Sequence, residues 1–193
     1  MTSDTYQTIL QNARRLFVRQ GYTATSMRQI AEETGIGKAT IYHHFADKEE
    51  ILGILLKQQT GPTQRVFEEI RAEKDPRRRV ELATFTALKF FYETADLLQL
   101  VRREAPKLRK QMMEEYNQFQ TMYKMLLQDA IMEGVENGLF RPLDPAKAIR
   151  VLMTLIQGTF ATTFLSDEKP LPPEEATALI LDIYFQGINK AQE

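Results

Sequence analysis

Between Gly21 and Asp47 the chain interrupts its helical pattern three times in quick succession, and the interruptions leave room only for two short helices. Upstream, from Asp4 to about Gln20, Ile9, Ala13, Leu16 and Phe17 recur at i, i+4, i+7 and i+8 on one helical face, and Gly21 is the stop. Thr25 or Ser26 is placed to cap a second helix carrying Met27, Ile30 and Ala31, which ends at Gly35. Gly35-Ile36-Gly37 then reads as a turn, and a third helix runs from about Lys38 to His44, with Ile41 and Phe45 directed inward. Asp47 caps a fourth helix whose acidic start, Glu49-Glu50, suits the helix dipole. Two short helices joined by a tight glycine turn, the second exposing polar residues between apolar anchors, are what insertion into a DNA major groove requires.

The same punctuation continues. Asp75-Pro76 and Asp144-Pro145 each pair an N-cap residue with proline at the first helical position, while Ala105-Pro106, Gly138 and Pro170 to Pro173 mark breaks. Helices are expected at about 48–72, 76–94, 96–104, 107–137, 145–165 and 174–191. With no run of alternating β-branched residues, the expected fold is all-α with about nine helices.

Composition narrows the function. There is no cysteine, so no thiolate nucleophile, disulfide framework or cysteine-bound metal. The only histidines, His43 and His44, are neighbours that point about 100° apart on a helix, which disfavours a shared metal. No phosphate loop or H-E-x-x-H pattern is present, so no catalytic residue, metal or cofactor is expected. The opening MTSDTYQTIL lacks a secretory pattern and no apolar run approaches membrane-spanning length, so a cytoplasmic protein without membrane association is expected. Residues 1–48 hold six basic and four acidic side chains, a net +2, against 19 basic and 22 acidic in the remainder. This mild asymmetry does not identify a DNA-binding protein by itself.

The run Thr25-Ser26-Met27-Arg28-Gln29-Ile30-Ala31, then Gly35 to Phe45, then Asp47-Lys48-Glu49, closely resembles the N-terminal signature of the TetR family of transcriptional regulators over about residues 6–52. The resemblance implies that Lys38, Ala39, Thr40, Tyr42 and His43 meet base edges or phosphates of a double-stranded operator. It places Thr25, Ser26 and Arg28 at the start of the preceding helix and Lys48 at the start of the fourth. Ala39 departs from a hydrogen-bonding reader, since its methyl can only touch thymine. The implied organisation is a three-helix DNA-binding domain over 1–48 and a helical effector-binding and dimerisation domain over 49–193.

Beyond residue 52 the resemblance is architectural, but the residues agree with it. Ile149, Leu152, Met153, Ile156 and Phe160 stripe one helix and Leu179, Ile180, Ile183, Tyr184 and Ile188 another, the pattern of a homodimeric four-helix interface. Packing within one chain would give the same stripes. Phe85, Leu88, Phe91, Tyr92, Leu98, Met113, Tyr116, Phe119, Tyr123, Met153 and Phe160 suit a pocket for a small apolar or aromatic effector, with Arg102 available to an anionic group. They also suit a plain core. Gly61-Pro62 falls inside the long fourth helix as a candidate hinge. The expected function is a homodimeric repressor that leaves a palindromic operator when its effector binds. The alternatives are a helical DNA-binding architectural protein without effector and an all-helical enzyme on an apolar substrate.

Overall fold

A computed structural model describes residues 2–165 and 171–188, with side chains throughout except at 2–3, 59–64, 115, 160 and 162–165. Among the described residues there are eight α-helices, one short 3₁₀ turn and no strand. They are α1 (Thr2–Gln20), α2 (Met27–Thr34), α3 (Lys38–His44), α4 (Lys48–Ala72), α5 (Pro76–Glu104), the 3₁₀ turn Pro106–Leu108, α6 (Arg109–Glu136), α7 (Pro145–Leu165) and α8 (Pro173–Ile188).

The expected separation of 76–94 from 96–104 is corrected: α5 is one helix of 29 residues. Thr94-Ala95-Asp96 contains neither glycine nor proline, and burial of Thr94 and Leu97 on the same side carries the helix through. The proline-led starts behave as read. Asp75 Oδ1 accepts the Arg77 N–H at 2.9 Å and Asp144 Oδ1 accepts the Ala146 N–H at 2.9 Å. Helix α4 runs unbroken through Gly61-Pro62, whose side-chain surroundings lie outside the described residues. Residues 189–191, expected at the end of the last helix, also lie outside them.

The chain packs as two compact units. One comprises residues up to Gly61 together with Thr94–Asn117; the other comprises Pro62–Glu93 and everything from Gln118. In the first, Ile9, Leu10, Ala13, Leu16 and Phe17 of α1 pack with Ile30 and Ala31 of α2, Ile41 of α3 and Phe45. The same core takes in Ile51, Leu52, Leu55 and Leu56 of α4 and Leu97, Leu100 and Val101 of α5. Three short helices bury too little apolar surface to hold themselves rigid, so α4 and the end of α5 complete their core. In the second unit the buried residues include Val80, Ala83, Ala87 and Phe91 of α5, Phe119, Tyr123, Leu126 and Leu127 of α6, Ile149, Leu152 and Ile156 of α7, and Ile180, Leu181, Tyr184 and Phe185 of α8.

Candidate nucleic-acid interface and effector core

Helix α2 is fixed at both ends by local chemistry. Ser26 is its N-cap, its Oγ accepting the Gln29 N–H at 3.2 Å while Gln29 Oε1 accepts the Ser26 N–H at 2.8 Å, a reciprocal capping box. Gly35 closes the helix at φ 72°, a left-handed conformation that suits glycine, and the Ile36 N–H returns to Ala31 O at 3.0 Å. The turn thus delivers α3 at a defined angle. Ile41 and Phe45 anchor α3, being 0% and 1% exposed.

On the opposite face Lys38, Ala39, Thr40, Tyr42 and His43 are exposed together, as a groove-reading helix requires. The Lys38 ammonium lies 5.9 Å from the Tyr42 ring centroid. His44 is half-buried, with its ring 6.4 Å from that of Tyr6 in an edge-on arrangement. On α2, Arg28 is exposed and its Nε donates to Glu32 Oε1 at 2.7 Å.

The remaining residues of the sequence-derived DNA set lie elsewhere. Thr25 is buried; its hydroxyl donates to Gly21 O at 2.7 Å and accepts from Gln20 Nε2 at 3.2 Å. Lys48 turns inward. Its Nζ donates to the carbonyls of Tyr22 at 2.6 Å, Thr25 at 2.8 Å and Thr23 at 3.3 Å, and sits 4.3 Å from the Tyr22 ring centroid. Burial pushes the Lys48 ammonium below its usual range, partly opposed by the negative charge of Glu104. Sequence reasoning passed over Glu104, whose Oε2 accepts the Thr23 N–H at 2.7 Å, because its partner lies 81 positions away.

The second unit holds an aromatic cluster. The Phe119 ring stacks on Phe90 at 4.4 Å and lies 5.6 Å from Phe67, 6.0 Å from Tyr123 and 6.2 Å from Phe91. Phe91, Phe119, Tyr123 and Met153, all from the expected pocket, line one void with Ala87, Gln120, Ile156 and Gln157, and it is too narrow to admit a water molecule. The hydroxyls of Tyr123 and Tyr184 are buried without a well-formed hydrogen bond among the described residues. Burial raises both phenols above their usual range.

Of the other expected pocket residues, Leu88 is buried and Tyr92 is 41% exposed. Phe85 lines an open cavity of about 580 Å³ with Leu82, Leu181 and Phe185, and Arg77 of the same lining stacks on Phe185. Leu98, Arg102, Met113 and Tyr116 belong to the first unit, where Arg102 and Met113 are exposed and Leu98 and Tyr116 half-buried. The side chain of Phe160 lies outside the described residues.

The expected dimer stripe divides. Ile149, Ile156, Ile180, Tyr184 and Ile188 are buried within the protomer and Met153 is half-buried, whereas Ile183 is 57% exposed. Leu179, of the same expected stripe, is 53% exposed, and on α7 the structure exposes an apolar residue that sequence reasoning left out, Val151 at 55%. Gly158 on α7 and Gly187 on α8 face open space. Among the described residues no cluster of histidine and carboxylate side chains could hold a metal, and no helix is long and apolar enough to cross a membrane.

Comparison with known proteins agrees at both ends of the chain. The family model of bacterial regulatory proteins of the tetR family matches residues 9–53, and that of the tetracyclin repressor-like C-terminal domain matches residues 73–188. The chain is 30% identical over 142 residues to the HTH-type transcriptional repressor KstR2 of Mycobacterium tuberculosis, covering 69% of this chain and 68% of that protein. The solved structure of that ketosteroid transcriptional regulator superposes with a TM-score of 0.69 over 96% of this chain and 95% of the other, at 24% identity. The fatty acid metabolism regulator protein of Bacillus subtilis is 25% identical over 169 residues, 85% of this chain and 86% of that one. AibR, solved in complex with isovaleryl coenzyme A and operator DNA, shares the fold with a TM-score of 0.63 at 21% identity, over 93% of this chain and 97% of the other. With family models matching both parts of the chain and a repressor 30% identical across 69% of it, the chain belongs to the TetR family and is a DNA-binding transcriptional regulator.

Proposed function

We propose that the protein is a homodimeric repressor acting in the cytoplasm, without catalytic activity, which leaves a roughly palindromic operator when a small apolar effector enters its second unit. The observation that carries the reading is α3, whose Lys38, Thr40, Tyr42 and His43 face outward while Ile41 and Phe45 are locked into the core. In this reading residues 1–48 bind DNA and 49–193 bind effector and dimerise. Thr25, Ser26, Arg28 and Lys48 support the interface from the two neighbouring helix starts.

Dimerisation is assigned to the exposed stripe Val151, Leu179 and Ile183, next to the open Gly158 and Gly187, where helices of a second copy could approach closely. Two-fold symmetry would present two copies of α3 to successive major grooves about 34–36 Å apart. The effector is assigned to the void bounded by Phe91, Phe119, Tyr123 and Met153, where the Tyr123 hydroxyl, Gln120 and Gln157 offer polar groups among apolar walls. Relatives that include a ketosteroid regulator, a fatty acid metabolism regulator and a protein solved with isovaleryl coenzyme A lean the same way. Because the void is closed to water, effector entry requires rearrangement of the cluster. That closure also favours a second reading, a DNA-binding protein without effector.

The test begins with selection of duplexes from a random-sequence library by the protein, followed by titration with fatty acids, acyl-coenzyme A thioesters and steroids. The expected result is a salt-dependent, sequence-selective complex that one ligand class weakens by about 5- to 150-fold. Failure to select any sequence would overturn the regulator reading. Undiminished binding with every ligand would favour the reading without effector.

A further inference from the structure

The loop between α1 and α2, residues 21–26, is gripped from two sides by opposite charges. On one side the carboxylate of Glu104 accepts the Thr23 N–H at 2.7 Å. On the other the ammonium of Lys48 takes up three carbonyls of the same loop, those of Tyr22, Thr23 and Thr25. The loop also fits closely against Glu104: a Cβ on Gly21, which sits at φ +91°, would come 3.0 Å from Glu104 Oε1. The last residue of the loop, Ser26, is the N-cap of α2, so the clamp fixes the point from which α2, the turn and α3 are laid out.

Glu104 breaks a local rule. It is the last residue of α5, where the carbonyl end of the helix dipole disfavours an acid and the preceding Arg102 and Arg103 are the residues a helix end prefers. Such exceptions concentrate where a site requires them. Its carboxyl is nevertheless held below the ordinary range, first by the Thr23 N–H and last by the Lys48 charge.

We propose that Glu104 and Lys48 are positioning residues for DNA binding: they hold the 21–26 loop so that α3 is presented correctly. The inference rests on the regulator reading above. It assigns Lys48 to the loop carbonyls rather than to a phosphate.

Affinity for a duplex selected by the wild-type protein separates reach from charge. Glu104→Gln keeps the length and an acceptor oxygen but loses the charge; Glu104→Asp keeps the charge but falls a methylene short. Because the loop is held by an acceptor oxygen at the right reach, Glu104→Ala and Glu104→Asp are expected to bind about tenfold more weakly, with Glu104→Gln within about threefold of wild type. If Glu104 only repelled phosphates, Ala and Gln would both bind more tightly and Asp would match wild type, and that pattern would overturn the proposal.

Lys48→Gln is expected to weaken binding while leaving the slope of log K against log salt unchanged; a slope reduced by about 0.9 would mark a phosphate contact and overturn its part. Hydrogen exchange at the Thr23 amide, measured without DNA, is expected to accelerate in Glu104→Ala and Glu104→Asp, and unchanged protection would overturn the clamp. Should the wild-type protein select no sequence, the regulator reading and this inference both fall; wild-type binding retained by Glu104→Ala counts against the clamp alone.

Discussion

Lys38 on α3 and Arg28 on α2 are both exposed cations, and their settings differ. Arg28 is held by Glu32 one helical turn away, in a pair exposed enough to contribute little to stability, so its guanidinium can exchange that carboxylate for a phosphate at small cost. Lys38 leans over the Tyr42 ring, itself 48% exposed, which orders the ammonium without neutralising it. Lys38→Ala is therefore expected to weaken binding to all duplexes alike and to lower the salt slope by about one, leaving the order of preferred sequences unchanged. Titrations at several salt concentrations check this; altered sequence preference with an unchanged slope would instead make Lys38 a base reader. Ala39 beside it offers only a methyl, which cannot hydrogen-bond a base.

Among the elements, α2 shows how little sequence is needed to define a short helix when both ends are capped. Eight residues have weak intrinsic helicity, so the Ser26–Gln29 box and the Gly35 stop carry much of its definition. Ser26→Ala is expected to destabilise the protein by about 1 kcal/mol in denaturant unfolding, with the first turn of α2 losing amide protection first. Equal stability would mean that packing of Met27, Ile30 and Ala31 alone suffices. Helix α5 shows the opposite case: local signals suggested an interruption near residue 95, but burial of Thr94 and Leu97 continues the helix to Glu104. In α7 and α8 periodicity failed for another reason. Both helices are apolar on more than one face, so the residues that pack inside the protomer and those left outside make equally good stripes.

For the whole molecule, a helix-turn-helix unit with a net charge of +2 and a recognition helix of about two turns has limited affinity alone, so DNA binding should depend on the dimer. Ile183→Glu tests that dependence at a residue 57% exposed, where the substitution changes protomer stability by no more than about 0.5 kcal/mol. The expected outcome is a folded monomer in sedimentation with strongly weakened operator binding; a dimer with full affinity would remove α8 from the interface. The helix starts at Pro76 and Pro145, the caps of α2, the turn at Gly35 and the outward face of α3 were legible in the sequence. Each depends on residues within about one turn of one another, where backbone preference and capping act. Tertiary structure alone decided that Lys48 points at the 21–26 loop, that Glu104 grips a residue 81 positions away, that the aromatic cluster closes its own void, and which stripes of α7 and α8 stay exposed. Those outcomes turn on which surfaces compete for burial once the helices meet, and a pattern read along one helix does not encode its neighbour.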